Sequence, residues 1–358
     1  MPYITDRSVR CGVALAVLLL SGCDTVEQPG SDQPLPDGSH YQGEIAGGLF
    51  HGDGRFEGQP VADVVYHRAE ADASTAPLTG IWREGEFVAA GEKAPALQRG
   101  ERVEQVLSED RQRLETQVAA LAPPRAGVMD VYLLAVGGDG TEGVFGRDIG
   151  IAREAVTAQT GQSGHSLMLL NDRDYQQWPL ATRPNVAHAL RALAQRLDPA
   201  EDLLVVHLVS HGDRDGSLLL RQPGLELPDL SPAAFDGMLS AVEGVRKVIV
   251  VSACFSGHWV ERLAAPDTLV MASARSDRTS FGCGDDSEMT WFTRSLYQDG
   301  AFALADLVAL FEASEQRIRA WEQEQGFAES QWSHPQIAYG KALQPWLESR
   351  WRSLSDGR

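Results

Sequence analysis

The residues best suited to chemistry are a histidine and a cysteine that each follow a long apolar run. The run LLVVHLVSHGD, residues 203–213, reaches His211, and the run KVIVVSACFSG, residues 247–257, reaches Cys254. Continuous apolar runs are typical of strands buried on both faces of a parallel sheet. Catalytic groups gather at the carboxyl ends of such strands. The pattern therefore predicts a thiol nucleophile with a histidine acid or base nearby.

Thiolate attack on a carbonyl also needs backbone N–H groups that bind the developing oxyanion. Gly212 offers an unhindered N–H directly after His211, and Cys254 offers its own. An isolated cysteine or histidine is at least as often a structural residue. The two together, at the ends of separate apolar strands, favour catalysis.

Three competing motifs are weaker. Residues 138–143 match GxGxxG, but Asp139 and Glu142 would repel a pyrophosphate. We interpret this stretch as a mobile glycine-rich loop at the rim of the site. The Ser256-Gly257 pair lacks the G-x-S-x-G pattern of esterases. The histidines and cysteines fit no metal-ligand spacing, so we expect no metal. Because the GxGxxG match is also weak, we expect no cofactor.

The chain from residue 127 onward alternates between strand and helix patterns. Besides the two apolar runs, strands are predicted at 128–136, 166–172, 217–220, 268–274 and 335–340, and helices at 145–160, 185–197, from 231, 289–297 and 303–325. This alternation predicts an α/β domain over 127–345, with a mostly parallel sheet sandwiched by helices. Helical spacing over residues 97–122, ended by Pro123-Pro124, predicts an amphipathic linker helix before it.

Composition limits the possible partners. The 358 residues are 43% hydrophobic, which suits a globular protein with a substantial core. The formal net charge of −19 argues against nucleic-acid binding and against electrostatic attachment to anionic lipid.

The N-terminus has the features of a targeting signal. Arg7 and Arg10 precede the apolar stretch CGVALAVLLL, which is too short for a typical transmembrane helix. The following Leu-Ser-Gly-Cys23 resembles a bacterial lipoprotein box. This resemblance implies a signal peptide over 1–22, lipid attached to Cys23 and a protein anchored in the bacterial cell envelope, facing the periplasm. The alternative is an ordinary secretory signal with a chance cysteine. Residues 23–40, rich in Pro, Gly and Asp, are expected to be a flexible tether.

Residues 41–92 predict a small β-hairpin module. The stretch YQGEIAGGLFHGDGRF, residues 41–56, resembles a MORN repeat, and residues 80–92 resemble a weaker second copy. Both contain aromatic residues and glycines in a pattern that suits hairpins. Two interpretations of this module are open. It is either a module that binds a partner or faces lipid, or a packing appendage or spacer, and the appendage or spacer is favoured.

Three segments together resemble the caspase-like cysteine peptidases of the legumain family, C13, and its bacterial lipoprotein members. They are SHGD at 210–213, VIVVSACFSGHW at 248–259 and MASARSDRTSFGCGDDSEMTWF at 271–292. The resemblance covers about 127–345 and implies a caspase-like fold and peptide or protein substrates. It makes His211 the catalytic histidine and Cys254 the nucleophile, with oxyanion N–H groups from Gly212 and Cys254. It also implies a histidine that acts on the scissile amide from across the site.

The substrate pocket departs from the family pattern. Legumain-type enzymes cut after asparagine by means of an arginine and two acids. Arg147 matches the arginine loosely, whereas Ser252 and Arg294 stand where the acids are expected. Cleavage after asparagine therefore does not carry over. Further residues expected in the pocket walls are Ser273, Arg275 and Ser280.

Two questions stay open at this stage. Cys283 lies in a Phe-Gly-Cys turn that the family shares, which favours a structural role, and a Cys254–Cys283 disulfide is the alternative. The function predicted is a cysteine endopeptidase or transpeptidase acting through an acyl-enzyme. The alternative is a catalytically inert scaffold lipoprotein that binds a partner through residues 41–92.

Overall fold

A computed structural model describes most of the chain. The described residues are 27–34, 40–46, 49–57, 78–83, 86–90, 95–173, 178–284, 287–298 and 302–355. The predicted signal peptide and Cys23 lie outside them, as do residues 24–26 and 35–39 of the predicted tether. Within the described part, no helix combines the length and the apolar character needed to cross a membrane. The chain divides into two units, residues 1–102 and 103–358.

The first unit is built on a five-stranded antiparallel sheet in which neighbours in sequence pair with one another. Its strands are β1 (Glu27–Pro34), β2 (His40–Ala46), β3 (Leu49–Glu57), β4 (Leu78–Arg83) and β5 (Glu86–Ala90). A small β module was predicted at 41–92, and the sheet begins earlier than that. Residues 27–34 pair with β2 as a strand, so the prediction of a flexible tether is wrong for them.

Aromatic side chains form the core of this sheet. The rings of Tyr41 and Phe50 stack with centroids 3.6 Å apart, and the Trp82 ring meets both edge-on. A side chain at Gly54 would overlap the Tyr41 ring. The aromatic and glycine pattern therefore serves the packing of this module, while its likeness to MORN repeats stays a prediction.

The second unit contains a six-stranded sheet in the order β13-β12-β11-β8-β6-β7. Its strands are β6 (Val131–Gly137), β7 (Ser166–Leu170), β8 (Leu203–Val209), β11 (Arg246–Ser252), β12 (Thr268–Ala272) and β13 (Gln336–Tyr339), with β9 (Arg221–Gln222) and β10 (Leu225–Glu226) forming a separate small ribbon. All pairs in the large sheet are parallel except β12 with β13. The α/β prediction of a mostly parallel sheet is confirmed.

Helices cover both faces of this sheet. They are α1 (Pro95–Ala120), α2 (Val144–Thr160), α3 (Arg183–Ala194), α4 (Pro232–Leu239), α5 (Gly257–Leu263), α6 (Trp291–Thr293) continued by a π-helical turn (Arg294–Gln298), α7 (Leu307–Glu324) and α8 (Leu343–Ser355). Alternate strand residues point to opposite faces. One set packs against α1, α3, α4 and α5, and the other packs against α2, α6, α7 and α8. The strands are apolar throughout because both faces are covered.

Helix α1 belongs to the α/β unit over most of its length. Leu114 and Leu121 are buried in the cluster that α1 shares with the sheet, and the side chain of Gln117 bonds the backbone of Met168 on β7. The prediction of a helix here is confirmed, but its interpretation as a linker is wrong. The apolar stripe of α1 covers one face of the sheet.

Other differences are local. Residues 217–220, predicted as a strand, make only isolated pairings through Leu218. The predicted helix 289–297 begins at Trp291. Helices α5 and α8 were not predicted. The start of α4 was predicted near Ser231 and is confirmed. The Ser231 hydroxyl caps this helix by accepting a hydrogen bond from the Ala234 N–H, and Pro232 lies in the first turn.

The order of the strands sets where the site lies. After β6 the chain turns to β7 on one side, and it then returns to place β8 on the other side of β6. Such a reversal leaves a crevice at the carboxyl ends of β6 and β8, where α/β proteins bind ligands. The next strand beyond β8 is β11, so the loops after β6, β8 and β11 meet at one edge.

We predict that shortening Leu114 destabilises the α/β unit. Leu114 is 0% exposed, so Leu114→Ala removes buried apolar surface and leaves a cavity, which should lower the free energy of unfolding by about 2–5 kcal/mol. Urea denaturation followed by circular dichroism measures this change. Leu107→Ala is the matched control on the same helix, because Leu107 is 57% exposed and should change stability by less than about 0.5 kcal/mol. Equal effects of the two changes would contradict the packing of α1 on the sheet.

Candidate active site

The sheet brings His211 and Cys254 to adjoining loops. Strands β8 and β11 pair in register up to Val209 and Ser252, and the two loops begin directly after these residues. The Ser210 N–H donates to the Ser252 carbonyl at 3.3 Å, which continues the pairing by one step. A side chain at Gly212 would overlap the carbonyl oxygen of Cys254. Glycine is therefore required for the close approach of the two loops.

The backbone N–H of Gly212, predicted as an oxyanion donor, lies outside the hydrogen bonds of its own loop. Gly212 lies opposite Leu218 in an antiparallel pairing. The hydrogen bonds of this pairing are made by the flanking residues: the Leu219 N–H donates to the His211 carbonyl, and the Asp213 N–H donates to the Ser217 carbonyl, both at 2.9 Å. In this antiparallel pattern the N–H of the central residue is directed away from the partner strand. The Gly212 N–H is thus not consumed by this pairing.

The turn that carries Cys254 is held by the loop that follows β12. The Phe255 N–H donates to the Arg278 carbonyl at 2.7 Å, and Phe255 adopts a left-handed backbone conformation with φ of 56°. This conformation is unfavourable for a residue other than glycine and persists only where the surroundings enforce it. Here the enforced turn places the Cys254 side chain beside the loop at 280–283.

Two neighbours stabilise the thiolate of Cys254. The Cys283 side chain is the largest influence that lowers the pKa of the Cys254 thiol, and the Ser280 N–H donates to the Cys254 sulfur at 3.3 Å. These influences outweigh the opposing effect of burial and lower the pKa of Cys254 to about 7. A lowered pKa in a partly exposed thiol is the property of a reactive cysteine.

Cys283 is a part of the site whose influence was missed in the sequence. Cys283 is the largest influence on the pKa of both residues of the predicted pair, since it raises that of His211 and lowers that of Cys254. Both cysteines are free, which sets aside the disulfide alternative for this state of the protein. The sequence shows Cys283 in a Phe-Gly-Cys turn, but it does not show which residues the Cys283 side chain faces.

His211 is surrounded by groups that favour its charged form. The hydrogen bond with Cys283 raises the pKa of His211, burial opposes the rise, and the charges of Asp139 and Glu142 add to it. The ring of Phe145, from the first turn of α2, meets the imidazole edge to face with centroids 5.2 Å apart. An imidazolium can therefore form here and donate a proton.

The loop at 138–143 lies beside His211, as expected, but it is held firmly. The Gly138 N–H donates to the Val209 carbonyl at 2.9 Å, and the Gly140 N–H donates to the Arg221 carbonyl at 2.7 Å. A side chain at Gly138 would come within 2.8 Å of the Leu219 carbonyl oxygen. These glycines serve close packing, which corrects the expectation of a mobile loop.

Hydrogen bonds connect Ser252, through Thr290, to Asp148, an acidic residue that was not predicted to belong to the site. Ser252 is buried, and its hydroxyl lies 3.0 Å from that of Thr290. The Thr290 hydroxyl donates to the carboxylate of Asp148 at 2.6 Å, its N–H donates at 3.2 Å, and the Thr293 hydroxyl donates at 2.7 Å. Asp148 itself is completely buried. The sequence does place Asp148 on the apolar face of α2. A single acidic residue on a buried face is unusual and could have indicated a specific role.

The other predicted pocket residues lie in different settings. Arg147 donates to the backbone carbonyls of Ser287 and Glu288 at 2.7 and 2.8 Å, and so holds the segment before α6. Arg275 pairs with Asp277. The guanidinium of Arg294 lies 5.0 Å from the ring centre of Trp321.

Ser273 does not line a pocket. It is buried, and its hydroxyl accepts from the Ala253 N–H and donates to the Ala253 carbonyl, both at 2.9 Å. The side chain therefore fastens β12 to the residue before Cys254, which corrects the prediction of a pocket wall. Ser280, in contrast, contacts the Cys254 sulfur directly through its N–H.

Two alternative chemistries find little support here. Ser256 is fully buried, and its hydroxyl accepts from the Ala274 N–H at 3.1 Å, so it is not placed to attack a substrate. Among the described residues, no cluster of three or more His, Cys, Asp or Glu side chains is placed to hold a metal ion.

Comparison with known proteins identifies one family. Residues 194–339, about two-fifths of the chain, match the sequence model of the Peptidase C13 family and contain His211, Cys254 and Cys283. This match supports a cysteine-peptidase type of function. Among solved structures, caspase-1 from Spodoptera frugiperda is similar at 13% identity and a TM-score of 0.41, covering 62% of this chain and 96% of that chain. No curated protein matches this chain.

We predict that Asp148 makes the stability of the α/β unit depend on pH. Burial raises the pKa of Asp148 from 3.8 to about 7, against the hydrogen bonds from Thr290 and Thr293. The folded chain thus holds this proton more tightly than the unfolded chain. The resulting stabilisation is fully present below about pH 4 and is lost as the pH rises through about 7. Asp148→Asn removes this titration, so its stability relative to the native chain should increase by roughly 4 kcal/mol between these limits.

Urea denaturation of both proteins across this pH range tests the prediction. Asp236→Asn serves as the control, because Asp236 lies on α4 and pairs with Arg262 at the surface. A stability difference between Asp148→Asn and the native chain that stays constant with pH would contradict the prediction.

Proposed function

We propose that this chain is a cysteine endopeptidase in which Cys254 is the nucleophile and His211 is the acid and base. The observation that carries the proposal is that His211 and Cys254 lie on adjoining loops at the carboxyl edge of β8 and β11, where the pKa of the Cys254 thiol is lowered to about 7. The match of residues 194–339 to the Peptidase C13 family supports the same class of reaction.

The reaction would run through an acyl-enzyme. The Cys254 thiolate forms a bond to the carbonyl carbon, and the carbonyl electron pair moves to oxygen, where the N–H groups of Gly212 and Cys254 bind it. The C–N bond then breaks, and His211 gives its proton to the leaving amine. Water attacks the thioester, His211 takes the proton of the water, and the thiolate leaves. An amine in place of water gives transpeptidation by the same steps.

Peptides or proteins are the proposed substrates. The segment at 287–293 stands beside the end of β11, where Arg147 holds its backbone and Thr290 bonds Ser252. We infer that the substrate side chain before the scissile bond binds near this segment. A serine at position 252 leaves no carboxylate there for recognition of asparagine.

The cell envelope is the proposed location. A lipid on Cys23 would anchor the chain, with both units facing the periplasm. This proposal rests on the Leu-Ser-Gly-Cys signal that follows the apolar stretch at 11–20.

We predict that turnover depends on both members of the pair. Cys254→Ala removes the nucleophile, and His211→Ala removes the proton donor, so each should lower kcat/KM on a cleaved peptide by at least about 10²-fold. A peptide-like electrophile should label Cys254 in the native chain, as located by peptide mass. His188→Ala is the control, because this partly exposed histidine lies on α3 and faces Glu115.

Retention of full activity by Cys254→Ala would end the proposal. If no electrophile labels Cys254, the scaffold function is favoured instead. In that case, bacteria that carry the chain without residues 41–92 should show the same phenotype as bacteria that lack the whole protein.

We predict that Cys23 carries the membrane anchor. In bacterial cells, the native chain should partition into the detergent phase, and Cys23→Ser should move it to the aqueous phase because no lipid is attached. Cys11→Ser, a thiol change within the apolar stretch, should leave partitioning unchanged. Detergent-phase recovery of Cys23→Ser equal to the native chain would overturn the anchor.

A further inference from the structure

We propose that a pocket beside Cys254 binds an acidic side chain of the substrate, so that this chain acts on acidic peptides. This arginine pocket has a volume of about 350 Å³, and its lining includes Arg214, Phe255, Arg278, Thr279, Phe281 and Phe327. The inference rests on the proposed function, in which Cys254 attacks a peptide. It deepens that function by naming the class of substrate.

The arginine pocket lies close to the Cys254 sulfur. Phe255 directly follows Cys254 in the chain, and Thr279 directly precedes Ser280, whose N–H donates to the sulfur at 3.3 Å. Neighbouring Cα atoms are only about 3.8 Å apart, so a peptide bound at Cys254 reaches the pocket with a residue near the scissile bond. None of the described lining residues belongs to the segment at 287–293. The pocket would therefore take a different side chain from the one that precedes the bond.

The turn that carries Arg278 is fixed in place. The Arg278 N–H donates to the Arg275 carbonyl at 3.0 Å and closes the turn, and the Arg275 N–H donates to the Ser333 carbonyl at 2.8 Å. The Arg278 carbonyl accepts from the Phe255 N–H at 2.7 Å. This wall of the pocket is thus formed before a ligand binds, which reduces the ordering that binding requires.

Three aromatic residues form the apolar part of the pocket. Phe255, Phe281 and Phe327 are each half-buried. The rings of Phe281 and Phe327 stack with centroids 4.9 Å apart and planes inclined by 15°, and the Trp291 ring lies 5.0 Å from that of Phe281. Binding pockets combine such apolar walls with a few polar groups that fix orientation. The rings suit the methylene groups of an Asp or Glu side chain.

Arg278 supplies hydrogen-bond donors that the fold leaves unused. Its Nη1 donates to the Asp277 carbonyl at 3.2 Å and to the Asp277 carboxylate at 2.8 Å. Its Nη2 makes no hydrogen bond with a described residue, and its buried Nε also has no partner among them. A guanidinium has five N–H donors in a fork that matches a carboxylate. An acidic side chain in the pocket would accept from Nη2.

Arg214 adds a positive charge that the surrounding loop does not pair. Its guanidinium forms no ion pair within the described part of the chain. Asp213 and Asp215 flank it, but their carboxylates accept from the N–H groups of Arg214 and Ser217 at 2.6 and 2.8 Å. Neither of these acids lines the pocket. The Arg214 guanidinium is therefore available to a ligand.

The single acid among the described lining residues does not cancel this charge. Asp277 is paired with Arg278 and also with Arg275, so its carboxylate is already shared between two guanidinium groups. The lining thus carries more positive than negative charge, in a chain whose formal net charge is −19. Such a pocket favours a negative ligand over a neutral one and rejects a basic one.

Two reagents of matched size test the charge of the pocket without any peptide. 3-Maleimidopropionate carries a carboxylate where 3-maleimidopropionamide carries a neutral amide. The rate at which each labels Cys254 is measured in the full-length chain, with the label located by peptide mass. The ratio of the two rates corrects for changes in the reactivity of the thiol itself. Arg278→Gln and Arg214→Gln should each lower the ratio of carboxylate to amide rates about threefold at low salt, and added salt should reduce this effect.

Three further variants and outcomes make this test specific. Arg278→Lys keeps the charge and should keep most of the native ratio. Arg191→Gln is the matched control, because it removes the same charge from the exposed last turn of α3, and it should leave the ratio unchanged. Arg214 is exposed, so Arg214→Gln tests the pocket even if Arg278→Gln does not fold. A ratio that stays native in the two pocket variants, or that falls equally in Arg191→Gln, would rule out an anion site.

A peptide library tests the class of substrate. Peptides cleaved by the full-length chain, identified by mass spectrometry, should be enriched in Asp or Glu at one position within three residues of the cleaved bond, other than directly before it. Replacing that acid by its amide should lower kcat/KM about tenfold for the native chain and at most about twofold for Arg278→Gln. Cleavage without any acidic preference, or a preference that Arg278→Gln keeps in full, would contradict the inference.

The two experiments separate the pocket from the peptidase. Absence of any cleavage would overturn the proposed function and the substrate class together, whereas the maleimide rates alone decide whether the pocket attracts anions. Cleavage of peptides regardless of their charge would overturn the acidic substrate class and leave the peptidase standing.

Discussion

The parallel pairing of β8 with β11 is the constraint on which the site depends. Seven consecutive residue pairs, from Leu203 with Arg246 to Val209 with Ser252, keep the two strands in register to their carboxyl ends. Paired strands lie only about 4.8 Å apart, so the loops that leave them emerge side by side. Gly212 then allows the backbones of the two loops to touch. A one-residue slip in this register would turn the strand residues to the opposite face.

Beneath this edge, buried polar groups are arranged in a continuous set of contacts. Asp148 on α2 holds Thr290 and Thr293, and Thr290 reaches Ser252 at the end of β11. One carboxyl group thereby joins α2, the segment before α6 and the strand that leads to Cys254. Burying that group is costly, and the hydrogen bonds it accepts offset part of the cost.

Two histidines of β8 and its loop show why position along a strand matters. His207 lies within the strand, is completely buried, and has a pKa lowered to about 3 by burial, with one ring nitrogen 3.2 Å from the Tyr297 hydroxyl. His211 lies four residues later, past the end of the strand, where Cys283 and nearby acids raise its pKa. Burial thus favours the neutral form of one histidine, whereas the surroundings of the other favour its charged form.

The sequence by itself determined the apolar strands, the covered parallel sheet and the position of His211 and Cys254 just past the ends of two paired strands, because these follow from local pattern and strand order. It did not reveal the influence of Cys283 on the pKa of His211 and Cys254, the burial of Asp148, the strand at 27–34 or the packing of α1 on the sheet. Those depend on side chains from distant segments meeting in space, as Asp148 meets Thr290 and Thr293. Only the tertiary structure could decide them, since neither spacing nor residue type records which loops face one another.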